Sequence, residues 1–445
     1  MTASTSSAQV ILGLSPLVMS LTVFISAYGI IISERINRSI TALLGACLMV
    51  LFGVLTQDEA FSGIDLNTIG LLIGMMIIVG ITQKTGVFQY VAIVSAKLVK
   101  ADPWKVLVVL AMVTAIFSAL LDNVTTVLLI TPVALLIADA LAVSAYPYLF
   151  STIIASNIGG TATLIGDPPN IMIGSAANLS FNQFIVNLTP IVAIIMLVSF
   201  FPIWLLWGRQ MRATAENKAQ LMAFDERKAI LDYKLLKQSL AVVGLVIFGF
   251  IVSHALGLPP ATIAMFGAAL LLLLYSYDKE GEERTQDIHR VYGEVEWITI
   301  MFFVGLFIMV TAINKAGALD ILAAWIVEVT HGDYAMTAAT ILWGSAVLSA
   351  VVDNIPFVAT MIPVIHDMGN IFGPDRLEPL WWSLSLGACL GGNGTLVGAS
   401  ANLVVAGLSE RGGQPIRFMT FTLVAFPLMV GSVAISHFYI WLRYL

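Results

Sequence analysis

The sequence predicts an all-α polytopic membrane protein built from two inverted repeats, and three observations lead to this prediction. Of the 445 residues, 59% are hydrophobic and only 11% are charged, which is more apolar surface than a water-soluble domain buries. The segment 65–90 returns 231 positions later, so that Gly74 matches Gly305. Polar and glycine-rich interruptions recur at corresponding places in the two copies. Such repetition of interrupted hydrophobic segments is typical of a duplicated membrane domain.

Charge and composition exclude several classes of protein. The net charge of -6 offers no basic face for nucleic acid. The two cysteines, Cys47 and Cys389, lie far apart and in no metal-binding spacing, the five histidines are scattered, and no GxxxxGK[ST] pattern occurs. We therefore expect no metal site, no cofactor and no enzyme activity.

Eight apolar runs approach the roughly 20 residues that span about 30 Å of hydrocarbon. The first of them lacks a preceding basic stretch and is long enough to span, so we interpret it as a retained helix and not as a secretory signal. With the interruptions described below, the runs predict about ten transmembrane helices, two re-entrant hairpins and two broken helices. The runs are 10–33, 38–56, 67–83, 186–207, 237–255, 260–277, 297–313 and 417–441.

The most basic connection sets the expected topology. It lies at 208–237, and the positive-inside rule places it in the cytoplasm. Counting back from this connection gives five net crossings for each half, so the second copy is expected upside down and both termini outside. The predicted organisation is a first repeat at 1–207, a cytoplasmic linker at 208–236 and a second repeat at 237–445, in the inner (plasma) membrane of the cell.

Each half contains one apolar excursion with an Asp-Asn pair at its centre. Asp122 lies in the excursion 104–141, and Asp353 lies in the excursion 337–373. If these excursions are re-entrant hairpins, their tips lie near the middle of the bilayer, where helix ends can coordinate an ion or a polar solute. Hydropathy alone does not distinguish a hairpin from two full spans.

Each half also contains a glycine-rich break, inside the predicted broken helices 147–178 and 380–410. Backbone that leaves the helix at membrane depth is tolerated only where protein buries it or where it lines a water-filled cavity. The breaks are therefore expected to line a cavity. They share the pattern GxxTxxGxxxN, which comprises Gly160, Thr163, Gly166 and Asn170 in the first copy and Gly392, Thr395, Gly398 and Asn402 in the second.

Three acidic residues lie in these interruptions: Asp122, Asp167 and Asp353. No Lys or Arg occurs in the surrounding segments 106–208 and 316–375. An ionisable residue in the bilayer costs at least a few kcal/mol, and burial without a countercharge favours the protonated form of a carboxyl group. We therefore predict that the three residues couple transport to protons. The alternative is that an Asp before an apolar run is a helix cap or an interfacial residue.

Four blocks carry a resemblance to a known superfamily: LDNVTTVLLITPV, NIGGTATLIGDPPNIMI, VDNIPFVATMIPV and GACLGGNGTLVGASANLVVAG. They resemble the ion-transporter superfamily of arsenite permeases, sodium/proton antiporters, the melanosomal P protein and divalent-anion/sodium symporters. The likeness covers the chain from about residue 38 and is closest to the P-protein and arsenite-permease branch. The resemblance implies a homodimer with scaffold helices at the contact and a mobile domain that moves like an elevator.

The resemblance also implies which residues bind the substrate or ion. One departure from the family pattern matters. Dicarboxylate symporters carry a motif similar to Ser-Asn-Thr at both hairpin tips, whereas this chain has Asp at each tip and Pro356 in the second tip. The extra negative charge opposes a carboxylate substrate unless protons or sodium compensate. The implied binding residues are Asp122, Asn123, Thr125, Thr126, Asn157, Gly160, Thr161, Thr163, Asp167 and Asn170 in the first half, and Asp353, Asn354, Gly392, Asn393, Thr395, Ser400 and Asn402 in the second.

The leading hypothesis is a proton-coupled secondary transporter that exports arsenite or antimonite. Arsenous acid is neutral at pH 7, and amides and hydroxyls can hold its three hydroxyl groups without Lys or Arg. A sodium or lithium/proton antiporter would use the same Asp residues as hard oxygen ligands. Coupled transport of an anion or dicarboxylate is disfavoured by the three acids and the absent bases. Two alternatives from a different class are not excluded by the sequence: a non-transporting scaffold and a channel subunit driven by an accessory ATPase.

Overall fold

The computed structural model of the chain describes residues 13–33, 35–278 and 280–445. Over these residues the secondary structure is helical, without strands. Ten of the described helices are long and apolar enough to cross a membrane, which confirms the predicted all-α polytopic fold class. Four of these ten are the arms of the two predicted hairpins.

The first half contains ten α-helices, which we number in chain order. They are α1 (Pro16–Ser33), α2 (Arg38–Leu51), α3 (Gln57–Ser62), α4 (Leu66–Gln83), α5 (Val87–Leu98), α6 (Pro103–Leu120), α7 (Asn123–Ala140), α8 (Tyr146–Thr161), α9 (Pro168–Ala176) and α10 (Phe181–Ile203).

One short helix in the linker precedes ten α-helices of the second half. The linker helix is α11 (Ala215–Met222). The helices after it are α12 (Tyr233–Leu256), α13 (Pro260–Ser276), α14 (Gly281–Gly293), α15 (Trp297–Lys315), α16 (Ala318–Val329), α17 (Tyr334–Val351), α18 (Asn354–Phe372), α19 (Glu378–Gly391), α20 (Ser400–Arg411) and α21 (Phe418–Tyr444).

The predicted span 38–56 is shorter in the structure. Helix α2 ends at Leu51, and the backbone of Gly53 then adopts a φ of 78°, which glycine tolerates because it has no Cβ. The chain continues into α3. Fourteen residues reach only about 21 Å along a helix axis, so α2 is shorter than the hydrocarbon region of a bilayer.

The two halves pack against each other through matched helix pairs. Helix α4 packs on α13, and α15 packs on α2. Each contact depends on a repeated glycine, because a Cβ on Gly74 would lie 2.7 Å from the carbonyl carbon of Ala264, and one on Gly305 would lie 2.5 Å from that of Ala42. The repeat boundaries at 207 and 237 stay predictions.

The helices form two packing groups. We call α1, α2, α4, α12, α13 and α15 the scaffold group, and α6 to α10 with α17 to α21 the hairpin group. Helices α5 and α16 connect them and begin after Gly86 and Gly317, whose φ values are 78° and 83°. This left-handed conformation suits glycine and turns the chain from α4 into α5 and from α15 into α16.

The two Asp-Asn turns are largely covered by protein, since Asp122, Asn123 and Asn354 are buried and Asp353 is half-buried. Helices α6 and α7 pack side by side and are joined by Leu121 and Asp122, and α17 and α18 are joined by Val352 and Asp353. Residues at the two turns line one internal cavity together with the starts of α9 and α20. A turn between two full spans would lie at a membrane surface, so the geometry is that of re-entrant hairpins.

Candidate functional site

The N-terminal ends of four helices converge on one cavity of about 30 Å³. Helices α7, α9, α18 and α20 each contribute residues of their first turn, and α4 contributes apolar side chains. The structure brings six of the predicted binding residues into the lining: Asp122, Asn123, Thr125, Asp167, Asn354 and Ser400. Three further polar residues line the cavity and were not predicted from the sequence: Arg38, Glu296 and Thr299.

Asp122 and Asp353 are helix caps as well as residues of this central region. Asp122 Oδ1 accepts a hydrogen bond of 2.7 Å from the backbone N–H of Thr125, and Asp353 Oδ1 accepts one of 3.1 Å from that of Ile355. A carboxylate at a helix N-terminus is stabilised by the unpaired N–H groups and by the helix dipole. The capping alternative therefore holds for both residues, but it does not remove them from the cavity region.

Asp167 is fully buried at the start of α9. Helix α9 begins with two prolines, which have no N–H to donate, and Asp167 makes no capping bond. Its two carboxylate oxygens each accept a long contact of 3.4 Å from Asn354 Nδ2, across the interface between the two halves. In the described part of the chain, no Lys or Arg forms an ion pair with Asp167 or with Asp122.

The expectation of a site without bases is wrong for Asp353. Arg38 Nη1 lies 3.0 Å from Asp353 Oδ2 and donates to Ser400 Oγ at 2.6 Å. Arg38 Nη2 donates to Thr299 Oγ1 at 3.1 Å. Arg38 is 315 residues away in sequence, at the start of α2. Its position in the cavity depends on the packing of α2 on α15.

A network of asparagine side chains lies beside the cavity and joins the two halves. Asn123 Nδ2 donates to Asn157 Oδ1 at 3.2 Å. Asn157 Nδ2 in turn donates to Asn393 Oδ1 at 3.0 Å and to Asn402 Oδ1 at 2.8 Å. All four side chains are buried. The structure thus brings these four predicted residues together, and their direct role in binding stays a prediction.

The threonines and asparagines of the repeated pattern fix the breaks. Thr163 Oγ1 donates to the Ala119 carbonyl of α6 at 2.5 Å, and Thr395 Oγ1 donates to the matched carbonyl of α17 at 2.5 Å. Asn170 Nδ2 and Asn402 Nδ2 each donate to carbonyl oxygens of their own break, including bonds of 2.9 Å and 2.8 Å. These side chains provide hydrogen-bond partners for backbone carbonyl groups at the points where the chain leaves the helix.

The glycines of the breaks and Thr161 also support the backbone of the breaks. A Cβ on Gly160 would lie 2.6 Å from the carbonyl oxygen of Gly166, and one on Gly392 would lie 3.1 Å from that of Gly398. Thr161 Oγ1 donates to the Asn157 carbonyl one turn earlier at 2.7 Å. The geometry brings these residues near the cavity as supports.

Two buried oxygens next to Asp122 have no hydrogen-bond partner among the described residues. They are Asn123 Oδ1 and Thr126 Oγ1, and the residues are 3% and 1% exposed. Buried polar atoms are rarely left unpaired without a reason. An oxygen-rich site of this kind can accept hydrogen bonds from a solute or coordinate a cation.

Comparison with known proteins identifies the family. A family model described as "Citrate transporter" (CitMHS) matches residues 28–387. An uncharacterized transporter of Mycobacterium tuberculosis is 42% identical over 96% of this chain and 98% of its own length. The P protein of Sus scrofa is 32% identical over 93% of this chain, which spans 58% of that protein. The resemblance to the ion-transporter superfamily and its P-protein branch is thereby confirmed.

Two solved transporter structures share the fold. The Alcanivorax borkumensis YdaH transporter aligns over 96% of this chain and 99% of its own, with a TM-score of 0.59 and 15% identity. Neisseria gonorrhoeae MtrF, described with a class of antimetabolite efflux pumps, aligns over 95% and 97% with a TM-score of 0.55 and 11% identity. At these identities the similarity concerns the fold alone.

Proposed function

Because the chain belongs to the citrate transporter (CitMHS) family of secondary transporters, we propose that it exports a small inorganic solute, arsenite or antimonite, in exchange for protons. The observation that supports this proposal is the pair of buried carboxyl groups, Asp122 and Asp167, at a cavity where neither forms an ion pair with Lys or Arg of the described chain. Such groups can take up protons on one side of the membrane and release them on the other.

The fixed charges around the cavity oppose an anionic solute. Asp122, Asp167, Asp353 and Glu296 contribute four negative charges when ionised, and Arg38 contributes one positive charge. Four helix N-termini add about half a positive charge each. The sum is about one negative charge, and it becomes positive only when at least two of the carboxyl groups take up protons. A neutral polyhydroxy solute such as arsenous acid is compatible with these charges.

The size of the cavity points the same way. A cavity of about 30 Å³ exceeds the roughly 10 to 15 Å³ that one water molecule needs, so it accommodates a few atoms. A citrate ion would require the cavity to open widely. The amide and hydroxyl groups of Asn123, Thr125 and Ser400 in the lining can bond to the hydroxyl groups of a small solute.

A sodium or lithium/proton antiporter is the second candidate function. The unpaired Asn123 Oδ1 and Thr126 Oγ1 adjoin Asp122, and oxygen atoms of this kind are the ligands that hard cations prefer. In this case the cation and the proton would compete for Asp122.

Coupled uptake of a carboxylate is the third candidate. Arg38 and the four helix N-termini favour an anion once Asp122 and Asp167 are protonated, and the description of the family names citrate. The ion pair between Arg38 and Asp353 opposes this candidate, because it already occupies the guanidinium.

Transport by the purified protein in liposomes tests the three candidates together. An imposed pH gradient should drive accumulation of arsenite or antimonite, and the solute should dissipate the gradient. A response to sodium or lithium alone would favour the antiporter, and a response to citrate alone would favour the third candidate. Transport by the purified protein without an added ATPase would also exclude a required ATPase partner. A homodimer in the plasma membrane, as the resemblance implies, is part of the proposal.

A further inference from the structure

The scaffold group holds the two hairpins in different ways. On the second hairpin, Arg38 pairs with Asp353, and Tyr28 of α1 donates to the Pro356 carbonyl of α18 at 2.7 Å. Tyr28 Oη also lies 3.0 Å from Thr360 Oγ1, one turn further along α18. These polar contacts join α1 and α2 to the first turns of α18.

The first hairpin meets the scaffold group through apolar side chains. Val79 of α4 lies in one apolar cluster with Leu121 at the turn and Leu129 of α7. Ala42 and Ala264 are equivalent positions, because each packs against the repeated glycine of the other half. Four residues before them lie Arg38 and Pro260, so the equivalent of Arg38 is a proline without charge. The sequence repeat therefore reproduces the helices of the two hairpins but not the bonds that fasten them.

The guanidinium of Arg38 is fixed on the scaffold side. Thr299 and Phe302 of α15 both contact it, the first by a hydrogen bond of 3.1 Å and the second through its ring at 5.2 Å from the centroid. Its remaining bonds go to Asp353 and Ser400, which also bond to each other at 2.7 Å. Arg38 thus joins α15, the second hairpin and α20 at one point.

We propose that Arg38 is a positioning residue that latches the second hairpin and α20 to the scaffold group, and that this latch opens each time the two groups move relative to each other. Any such displacement separates Arg38 from Asp353, because Thr299 and Phe302 hold the guanidinium on α15. The inference goes beyond the proposed function, since it holds for any solute. It gives Asp353 a different role from Asp122 and Asp167.

Hydrogen–deuterium exchange of the full-length protein in lipid nanodiscs tests the latch. In Arg38→Gln, amide exchange in 352–363 should rise at least about tenfold, because loss of one partner leaves the Asp353 charge without its cation. Exchange in the matched segment 121–132 should not change. Arg38→Lys keeps the charge but not the planar fork, so it should give an intermediate rise.

Two further variants control this measurement. Lys84→Gln removes an ion pair outside the hairpins, the 3.1 Å pair of Lys84 at the end of α4 with Glu294 after α14, and should leave exchange in both hairpins unchanged. Asp353→Asn breaks the latch from the other side and should reproduce the pattern of Arg38→Gln, which keeps the test decisive if one variant does not fold. Equal changes in both hairpins, or no change in 352–363, would overturn the proposal.

Transport kinetics distinguish a latch from a ligand, with whichever solute moves in the liposome experiment. A latch acts on movement, so Arg38→Lys should change the maximal rate by more than about threefold and the half-saturating concentration by less than about twofold. An increase in the half-saturating concentration at an unchanged maximal rate would make Arg38 a solute ligand and contradict the latch. The exchange experiment needs no solute. It therefore tests the latch even if the protein does not transport arsenite or antimonite.

Discussion

At the scale of single residues, equal positions in a sequence repeat have different surroundings. Asp122 and Asp353 both cap the helix that follows them. Among the residues that the structure describes, Arg38 of α2 pairs with Asp353, and no Lys or Arg pairs with Asp122. Their hydrogen bonds depend on local sequence, which is repeated, whereas their charge environment depends on distant residues, which are not.

The asparagine network supports a prediction about stability. Asn157 is fully buried and bonds to Asn123, Asn393 and Asn402. Asn157→Ala leaves three buried polar groups without this partner and should lower the free energy of unfolding by about 2 kcal/mol or more. Thermal unfolding of the purified protein measures the change. Asn370→Ala, at an exposed position of α18, is the control and should stay within about 0.5 kcal/mol; equal losses would contradict the account.

The ion pair of Glu59 and Lys315 gives a pH-dependent prediction, and Glu59 lies in α3, outside the membrane spans. The hydrogen bond from Lys315 lowers the pKa of Glu59 from 4.5 to about 2. A carboxyl whose pKa is lower in the folded state stabilises the protein above the unfolded pKa and loses this effect as the pH falls through the folded value. Both side chains are exposed, so the effect should stay below about 1 kcal/mol.

Thermal unfolding at several pH values checks this effect. Between about pH 5 and pH 2, the wild type should lose slightly more stability than Lys315→Gln, which lacks the hydrogen bond. Lys100→Gln removes an exposed lysine elsewhere and should behave like the wild type. Identical pH dependence in the wild type and Lys315→Gln would show that the pair contributes nothing.

At the scale of helices, repeated serine and threonine bonds fasten each broken helix to its hairpin. Ser118 Oγ donates to the Ser156 carbonyl at 2.5 Å, and Ser349 Oγ donates to the Ala388 carbonyl at 2.6 Å. These bonds and those of Thr163 and Thr395 join each hairpin to its own broken helix. The proposed displacement would therefore move the hairpin and the break of each half together.

The glycine contacts between the halves lead to a second prediction about stability. Gly74→Ala and Gly305→Ala each place a Cβ under 3.0 Å from the backbone of the facing helix. Because backbone cannot move aside as a flexible side chain can, each substitution should destabilise the protein by about 1 to 3 kcal/mol. The control is Gly431→Ala on α21, where a Cβ meets nothing within 4 Å. It should be neutral or up to about 1 kcal/mol stabilising, and equal effects in thermal unfolding would contradict the packing argument.

At the scale of the whole molecule, hydropathy and the internal repeat predict most of the architecture. The hairpins 104–141 and 337–373 correspond to α6 with α7 and to α17 with α18. The breaks lie between α8 and α9 and between α19 and α20, as predicted. The length of α2 and the partner of Asp353 were not predictable, because they depend on a turn at Gly53 and on packing between distant helices.

The inverted orientation of the second half predicts where the connections lie. The linker 208–236 should be cytoplasmic and the C-terminus should lie outside, since an odd number of crossings separates them. A protease site inserted in the linker should be cleaved only by protease on the cytoplasmic side. A tag at the C-terminus should be accessible only from outside, and a tag reached from the cytoplasmic side would contradict the inverted topology.

The most direct test of the central claim measures proton movement with solute in liposomes containing Asp122→Asn, Asp167→Asn or both. The account predicts that pH-driven solute accumulation falls by at least about a hundredfold in the double variant, because an amide cannot exchange a proton in this pH range. The control is Asp139→Asn, which changes an exposed carboxyl on the same helix α7 and should keep wild-type coupling. Solute accumulation that stays coupled to the pH gradient in the double variant would contradict the account.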